Sequence, residues 1–348
     1  MNTKGWEKGN DGDLRIGDHT DAIYKYDETL GKWLAATHRD TTLGIMGCTT
    51  KREGEIGKSS MDDEYYVCRD SDWQNAQKID LDTYGKKCTN AEVGITIEGV
   101  VTSTNKYYCT ANGWASLTGG WNWDVPKEVR LNPDIDYGLM TDSRDGKKYK
   151  TVTIGDLTWM AENLNYYKDT DPSVKTKSWC FGKSDNKDST TCEVGGRLYT
   201  WAAAIDSVKL ANDADGPQKC GYGKTCTLPA KVQGVCPPDW HLPNNTEWNA
   251  LFTAVGGQSA AVYALKSQSG WLGYNGTDAF GFSALPVSCR DSDDFEFFNQ
   301  GAYATFWGAT ENNGGKAYCM GLRGGYNEDA TLNNCDKNFG RSVRCVKD

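Results

Sequence analysis

Residues 235–248 read VCPPDWHLPNNTEW and bring a cysteine, two tryptophans, a histidine and a glutamate into fourteen positions. Such a mixture fits either an active site or a heavily constrained structural corner. Asn244 and Glu247 have the spacing of a helix capping box, in which each side chain binds a backbone N–H of the other residue. Glu247 is therefore predicted to be a helix cap rather than a general base.

A short helix is predicted directly after this box, because apolar residues recur there at helical spacing and two glycines then end the pattern. The positions are Trp248, Leu251, Phe252 and Val255, followed by Gly256 and Gly257. His241 lies in the extended approach to the helix, with no second histidine and no cysteine pair nearby in sequence. Buried polar groups are usually hydrogen-bonded structural groups. We interpret 235–248 as a structural corner and expect His241→Gln to leave ligand binding intact.

The overall composition limits the classes of partner. The chain has 348 residues, enough for two or three domains, and a net charge of −9 from 47 acidic and 38 basic residues. It has no block of Lys and Arg, so nucleic acid and anionic membranes are poor partners. No apolar run approaches the length of a membrane span. Thirteen cysteines without a Cys-x-x-Cys pair favour disulfides over zinc ligands, and hence an oxidising compartment.

An internal repeat occupies the first third of the chain. Tryptophans and cysteines recur 40 or 41 residues apart, at Trp33, Trp73 and Trp114, at Cys48 and Cys88, and at Cys68 and Cys109. The first copy carries Tyr26 in place of a cysteine. Aromatic stretches separated by turn residues predict short strands. Residues 1–116 are therefore predicted to form three small all-β modules of about 40 residues each.

Each small module has little core, so a disulfide is expected to stabilise it. The spacing favours Cys48–Cys68 and Cys88–Cys109, which close loops of about 20 residues. Two prolines and a Gly-Gly pair in residues 117–138 then break the repeat and predict a linker.

The secondary structure of the remaining chain is predicted to be mostly strand. Lys148–Ile154 and Leu157–Met160 read as a hairpin around a Gly-Asp turn. A second hairpin is predicted around Gly324 and Gly325. The last residues, GRSVRCVKD, read as a strand.

This second region carries motifs that resemble a known family. In chain order they are DSRDGKKYKTVTIGDLTWMAENLNY, GRLYTWAAA, GVCPPDWHLPNNTEW, GFSALPVSCRDS, FWGATE and GRSVRCVKD. Residues 139–348 resemble the Fibrobacter succinogenes major paralogous domain, and the upstream repeat resembles modules found before that domain. The resemblance implies an exported protein, extracellular or on the outer-membrane surface of a Gram-negative bacterium. It also implies an α+β fold with few helices and many loops, similar to the C-type-lectin-like and sulfatase-modifying-factor group.

The same resemblance suggests the long-range disulfide. In a fold of that kind the approach to the helix lies beside the last strand, which implies the bridge Cys236–Cys345. The other pairs expected in this region are Cys180–Cys192 and Cys220–Cys226 within loops, and Cys319–Cys335 across the second hairpin. Cys289 is then the odd cysteine. A lone thiol is unusual outside the cell, so either Cys289 pairs with another chain or the hairpin pairing is wrong.

The favoured function is non-catalytic adhesion to a plant or cell-surface polysaccharide. Sugar rings stack on exposed aromatic faces, and the candidates in glycine-rich loops are Trp271, Tyr274, Phe295, Phe297 and Phe298. The acidic stretch RDSDDFE could hold a calcium ion through Asp291, Asp293, Asp294 and Glu296, although an acidic solvated loop explains these residues equally well. No cofactor other than calcium is indicated. The Glu-Pro-Asn, Gln-Pro-Asp and Trp-Asn-Asp signatures of calcium-dependent lectins are missing from the sequence.

Two other functions stay open. Repeats, disulfides and an odd cysteine also suit a structural subunit that self-associates into a filament or surface assembly. The second alternative is an oxidase of the sulfatase-modifying type, which would need a reactive cysteine pair, in one version binding copper. Cys319 and Cys335 lie where such a pair could be. Cysteines are equally abundant in the repeats, so disulfides are the favoured interpretation of this pair.

Overall fold

The computed structural model describes residues 6–18, 20–183, 189–291, 296–325 and 329–348. The chain divides into two compact units, one ending at Leu117 and the other running from Thr118 to Asp348. Of the helices in the described ranges, none combines the length and apolar character that crossing a bilayer requires.

The first unit consists of three antiparallel sheets of three strands each, one for each copy of the repeat. A short helix follows the first and second sheets. The elements are β1 Leu14–Ile16, β2 Ile23–Asp27, β3 Lys32–Ala35, α1 His38–Thr42, β4 Ile56–Lys58, β5 Tyr65–Arg69, β6 Asp72–Asn75, α2 Lys78–Asp82, β7 Thr96–Glu98, β8 Lys106–Thr110 and β9 Gly113–Ser116.

The repeated tryptophan has the same role in each sheet. Its indole N–H donates to a backbone carbonyl in the preceding loop, at 3.0 Å from Trp33 to Glu7, 2.9 Å from Trp73 to Met46 and 3.3 Å from Trp114 to Lys86. Across the hairpin, the residues directly opposite these tryptophans are Tyr26, Cys68 and Cys109. One interaction thus sets the loop position in all three copies.

The first repeat keeps this geometry without a disulfide. Gly9 follows Glu7 by two residues, as Cys48 follows Met46. A Cβ atom added at Gly9 would lie 3.1 Å from the Cβ of Tyr26. Gly9 and Tyr26 therefore take the two positions that cysteines hold in the later copies.

Helix α1 connects the first repeat to the second. Thr37 and Asp40 form a capping box at its N-terminus. Arg39 reaches into the next sheet, where it donates to the carbonyl of Trp73 at 2.7 Å. The Lys25 ammonium lies 2.7 Å from Asp40 with both side chains buried, so the ion pair fixes the helix on its own sheet.

The second unit combines short helices with small, mostly antiparallel sheets, which makes it an α+β fold. Its elements are β10 Gly138–Thr141, β11 Lys148–Ile154, β12 Leu157–Met160, β13 Ser178–Trp179, α3 Thr190–Gly195, β14 Leu198–Tyr199, α4 Trp201–Ala204, α5 Ser207–Ala211, β15 Trp240–His241, α6 Asn245–Ala254, α7 Gln258–Ala264, β16 Cys289–Arg290, β17 Phe297–Phe298, β18 Tyr303–Glu311, β19 Lys316–Arg323, β20 Ala330–Asp336 and β21 Val346–Lys347.

The largest sheet has the strand order β10-β11-β12-β21-β15. The predicted hairpin forms β11 and β12 with the expected bounds. Strand β21 lies between β12 and β15, with His241 opposite Val346. The Cys236–Cys345 disulfide joins the same two chain segments, as the resemblance implied. The terminal strand is only two residues long. The residues before it still contact the body of the unit, because the carbonyls of Val343 and Cys345 accept hydrogen bonds from the backbone N–H groups of Leu164 and Met160 without forming a regular ladder.

A second sheet, β18-β19-β20, contains the other predicted hairpin. Trp159, Trp248, Phe282 and Phe306 stack between the two sheets and helix α6, with neighbouring ring centroids 4.8 to 6.4 Å apart. All four side chains are buried. This aromatic stack is the centre of the core, and it explains why the tryptophan at the start of α6 is structural.

Residues 118–138 differ from the predicted linker, because they belong to the second unit. The amide of Asn132 donates to the carbonyl of Asp278 at 3.0 Å, and the Tyr137 hydroxyl lies 3.0 Å from that of Ser283. Arg130 is buried and donates to the carbonyl of Asn122 at 2.7 Å. The repeat ends here as expected, but the polar side chains of this segment form hydrogen bonds with the rest of the second unit.

All thirteen cysteines lie in the described residues. They form six disulfides, which are the six pairs named from the sequence: Cys48–Cys68, Cys88–Cys109, Cys180–Cys192, Cys220–Cys226, Cys236–Cys345 and Cys319–Cys335. Cys289 is free and buried, and burial raises the pKa of its thiol. A buried thiol in its neutral form is a weak nucleophile.

Candidate functional site

The corner around His241 is built as a support for helix α6. Asn244 and Glu247 form the predicted capping box. The His241 ring is 2% exposed and lies between two carboxylates, with Nε2 2.6 Å from Glu247 and Nδ1 2.7 Å from Asp348. Burial disfavours the charged ring, but the two carboxylates outweigh it and raise the pKa of His241. Both ring nitrogens are engaged, which leaves none to contact a ligand.

Trp271 is not a surface residue, so its prediction as a ligand contact is wrong. Its side chain is 2% exposed and packs in the core between the helices and β18-β19-β20. The indole N–H lies 3.1 Å from the Ser267 hydroxyl and 3.2 Å from the carbonyl of Ala284. The glycines beside it allow close backbone packing rather than ring exposure, since a Cβ at Gly273 would lie 2.9 Å from the Cα of Gly325.

The other predicted ligand contacts separate from one another. Tyr274 is 70% exposed beside Leu272, which is 60% exposed. Phe297 is partly buried and lies opposite Arg290 in the β16-β17 pair. The backbone of Phe298 pairs with Cys289, whereas Phe295 lies outside the described residues.

The predicted calcium ligands do not assemble in the part of the chain that the structure describes. Asp293 and Asp294 lie outside the described residues. The Asp291 backbone N–H donates to the carbonyl of Glu296 at 2.8 Å, and the Glu296 side chain is exposed. No group of three acidic, histidine or cysteine side chains with metal-binding geometry occurs among the described residues.

A surface group of aromatic rings, which we call the aromatic cluster, contains Phe297 and three residues not predicted from the sequence. It consists of Trp121, Trp123, Phe181 and Phe297, all partly exposed. Successive ring centroids are 4.9, 5.0 and 4.9 Å apart. The Trp123 and Phe181 rings are inclined by 32°, whereas the Trp121 ring is nearly perpendicular to Trp123 and the Phe297 ring is inclined by 54° to Phe181. The cluster rests on buried Leu198, Leu285 and Val287.

Several covalent and polar contacts hold these rings in place. The Arg130 guanidinium lies 4.3 Å from the Trp121 ring centre, and the Trp123 indole N–H donates to Gln300 at 2.9 Å. The Cys180–Cys192 disulfide ties the residue before Phe181 to helix α3. A Cβ at Gly195 would lie 2.8 Å from the Trp123 ring, so the ring packs directly on the helix backbone. The cluster is therefore positioned before any ligand arrives.

A buried carboxyl group anchors the segment that carries the two cluster tryptophans. Asp278 is fully buried and accepts hydrogen bonds from the N–H and hydroxyl of Ser283 at 2.6 and 2.5 Å. Burial raises the pKa of Asp278 to about 7, against the effect of these hydrogen bonds. Its backbone carbonyl binds Asn132, and Ser283 binds Tyr137. We interpret this network as structural support, because its groups bind one another and the backbone.

An open cleft with a volume of about 670 Å³ borders the aromatic cluster. Trp123 belongs to both. The remaining lining comes from the Lys127–Arg130 helical turn, strand β11, helix α3 and the loops beside them. The residues are Asp124, Pro126, Lys127, Glu128, Lys147, Lys148, Tyr149, Asn165, Thr190, Glu193 and Val194. The site thus combines stacking surface with polar side chains of both charges.

Sequence reasoning missed most of this site because it placed Trp121 and Trp123 in a linker. The signal that could have found them is the pair itself, since GGWNWD exposes two large aromatic residues in a stretch with few other apolar residues. Phe181 had no comparable signal. Its place depends on the Cys180–Cys192 disulfide and on the pairing of strands β13 and β14, neither of which leaves a pattern in the residues around Phe181.

The copper-oxidase alternative depends on Cys319 and Cys335, which the structure places in a disulfide across β19 and β20. Both sulfur-bearing side chains are buried, at 1% and 7% exposure. This pair lies in the core cluster that also contains Trp201 and Trp307.

Comparisons with known proteins identify the second unit. No curated protein and no solved structure matches the chain. The Fibrobacter succinogenes major domain matches residues 152–347, which is more than half of the chain and confirms the resemblance seen in the motifs. The matched residues include helix α3 and Phe297, whereas Trp121, Trp123 and Lys127 precede them. The chain therefore belongs to the Fibrobacter succinogenes major domain family.

Proposed function

We propose that this protein is a non-catalytic adhesion protein that binds polysaccharide through the aromatic cluster. The observation that carries the proposal is the continuous group of four partly exposed rings beside an open cleft. Aromatic rings give a sugar a large, flat apolar contact at a small cost in side-chain entropy. Clustered exposed aromatic residues mark interaction sites far more often than single ones.

The rigidity of the site supports binding. A ligand that meets preorganised rings loses less free energy to side-chain ordering. The disulfide beside Phe181 and the packing of Trp123 on Gly195 provide that preorganisation. Phe297 extends the same surface, with the Arg290 guanidinium 5.9 Å from its ring centre.

The disulfides support the proposed cellular setting. Six disulfides fit an oxidising compartment. We place the protein outside the cell or on the outer-membrane surface of a Gram-negative bacterium, with a plant or cell-surface polysaccharide as partner. The proposed fold group of the second unit is the C-type-lectin-like one, and binding is proposed to use aromatic stacking rather than a bound ion.

The test is retention of the oxidised protein on insoluble cellulose and xylan, with calcium and with chelator. Wild type is expected to be retained in both conditions, and Trp123→Ala to lose most retention. Tyr274→Ala is the matched control, because this exposed aromatic residue lies outside the cluster. Equal retention of wild type and Trp123→Ala would contradict the proposal, and loss with chelator would return the acidic loop to consideration.

A structural subunit is a second candidate, favoured by exposed apolar residues on the repeats. Met61 is 72% exposed and Val101 is 69% exposed, at equivalent positions two residues after Ser59 and Gly99. Exposed apolar residues that recur along a repeat suit contacts between copies. Electron microscopy of the purified protein distinguishes filaments from free molecules.

The oxidase alternative is tested separately, by counting free thiols. A count of one excludes a reduced Cys319–Cys335 pair.

A further inference from the structure

The cleft beside Trp123 has the features of a second binding region. Its volume of about 670 Å³ lies within the range of small-ligand sites. Three separate elements form its walls, and the buried Tyr149 ring forms part of its lining. We propose that this cleft binds a neutral sugar residue through its hydroxyl groups, as the continuation of a chain that stacks on the aromatic cluster. This inference rests on the proposed function.

The charges of the cleft argue for a neutral ligand. Its lining includes three lysines, Lys127, Lys147 and Lys148, and three carboxylates, Asp124, Glu128 and Glu193. The sum of these charges is zero, so the lining has no excess charge to attract an acidic sugar. Sugar hydroxyl groups both donate and accept hydrogen bonds, and such groups match a wall that offers ammonium donors and carboxylate acceptors side by side.

Two of the lysines already have protein partners. The Lys127 ammonium lies 2.7 Å from Glu162, and the Lys147 ammonium donates to the carbonyl of Asn165 at 2.6 Å. An acidic sugar would therefore compete with existing contacts for positive charge. Lys148 is exposed at the start of β11 and adds one further donor.

Asn165 carries an unpartnered, buried acceptor that a sugar hydroxyl would complete once the side-chain amide turns toward the cleft. Its residue is 8% exposed and lines the cleft, and its Oδ1 has no hydrogen-bond partner among the described residues. A buried acceptor without a partner costs about 1–3 kcal/mol. The backbone of Asn165 is fixed on both sides, since its N–H donates to the Tyr149 hydroxyl at 3.0 Å and its carbonyl accepts from Lys147. The backbone of Asn165 is thus held in place at the wall of the cleft.

The test compares soluble oligosaccharides by titration calorimetry with the full chain. Cellohexaose and xylohexaose are the neutral probes, and oligogalacturonate is the acidic one. Wild type is expected to bind a neutral probe and not the acidic one. Asn165→Ala is expected to weaken neutral binding about tenfold, the effect of one lost hydrogen bond to a buried group. Asn165→Asp keeps an acceptor and is expected to restore most of the affinity.

Lys148→Ala is expected to reduce neutral binding less than threefold, and Lys168→Ala is the control on an exposed lysine outside the cleft. Neutral binding that is lost in Trp123→Ala but unchanged in Asn165→Ala would overturn the cleft and keep the aromatic site. Preference for oligogalacturonate, abolished by Lys148→Ala, would overturn the neutral ligand. Binding of neither class would overturn the proposed function together with this inference.

Discussion

The second unit contains one disulfide that spans far more of the chain than any disulfide of the repeats, beside three that close short loops of 6 to 16 residues. In the repeats, Cys48–Cys68 and Cys88–Cys109 close loops of 20 and 21 residues. In the second unit, Cys236–Cys345 joins residues 109 apart and ties the helix corner to the last strand. The second and third repeats are each closed by a local disulfide beside one tryptophan, whereas the second unit has an extensive core that brings distant segments together. The spacing of Trp and Cys residues predicts the small sheets of the repeats. Residue spacing does not predict which distant segments meet in the second unit.

The largest predicted difference comes from removing these bridges. Loop entropy predicts a loss of about 4.7 kcal/mol for a loop near 100 residues and about 3 kcal/mol for one of 15 to 20. Cys236→Ala with Cys345→Ala should therefore destabilise the second unit more than Cys48→Ala with Cys68→Ala destabilises the repeats. Urea unfolding, followed unit by unit through hydrogen exchange, measures both. Equal losses would show that loop length does not determine how much each disulfide stabilises the protein.

Two tryptophans of the second unit should separate stability from binding. Trp271→Ala removes a buried ring and should cost about 3–5 kcal/mol of unfolding free energy. Trp123→Ala removes a partly exposed ring, so it should cost much less stability while removing most of the retention on polysaccharide. Thermal unfolding of the two variants checks the first expectation. A Trp123→Ala protein that unfolds as readily as Trp271→Ala would show that the cluster is structural.

The first repeat can be converted to the pattern of the other two. Gly9→Cys with Tyr26→Cys should form a seventh disulfide, because the two positions match those of Cys48 and Cys68. The new loop should contribute about 3 kcal/mol, and the loss of the buried tyrosine ring should offset much of it. Mass spectrometry under non-reducing conditions detects the bond. Two free thiols at these positions would show that the first copy is not equivalent to the others.

The smallest predicted effect is a pH dependence at His241. Its pKa is raised in the folded protein, so the charged ring stabilises the fold fully below its unfolded pKa of about 6.5, and this stabilisation is lost as pH rises through the folded pKa. The pKa of Glu247 is lowered despite its burial, chiefly by the hydrogen bond from His241, so its contribution is lost as pH falls through the folded pKa.

His241→Gln should therefore lower the melting temperature more at pH 5.5 than at pH 8.5, by an amount worth about 1 kcal/mol. His38→Gln, on the exposed side of α1, is the matched control. Polysaccharide binding should be unchanged in both. A loss of binding in a folded His241→Gln protein with all six disulfides would make the corner part of the site.

The fold could be predicted where the residues that form an interaction lie close together in the sequence or recur at a fixed spacing. Asn244 and Glu247 predicted the start of α6, and the spacing of Trp33, Trp73 and Trp114 predicted the repeats. The capping interaction and the indole hydrogen bonds act within a few residues or recur at fixed intervals, so the sequence shows them directly. Helix α7 followed the glycines without a predicted start, because its N-terminus has no side-chain cap.

The site was less predictable because exposure depends on distant packing. Trp271 and Phe297 both lie in glycine-rich, aromatic-rich stretches, yet one is buried under Ser267 and Ala284 and the other reaches the surface beside Phe181. The decisive contacts of Trp123 are with Gly195 and Gln300, more than 70 residues further along the chain. The residues around an aromatic side chain in the sequence therefore do not predict whether its ring is buried or exposed.

The most direct test of polysaccharide binding at the aromatic cluster is the hydrogen-exchange footprint of a bound neutral oligosaccharide. Cellohexaose or xylohexaose should slow exchange in residues 121–128, around Phe181 and in helix α3, and should leave residues 271–276 and the repeats unchanged. That result would locate binding at the aromatic cluster and the cleft. Protection in the 271–276 loop or in the repeats, or no protection anywhere at saturating ligand, would show that the aromatic cluster does not bind polysaccharide.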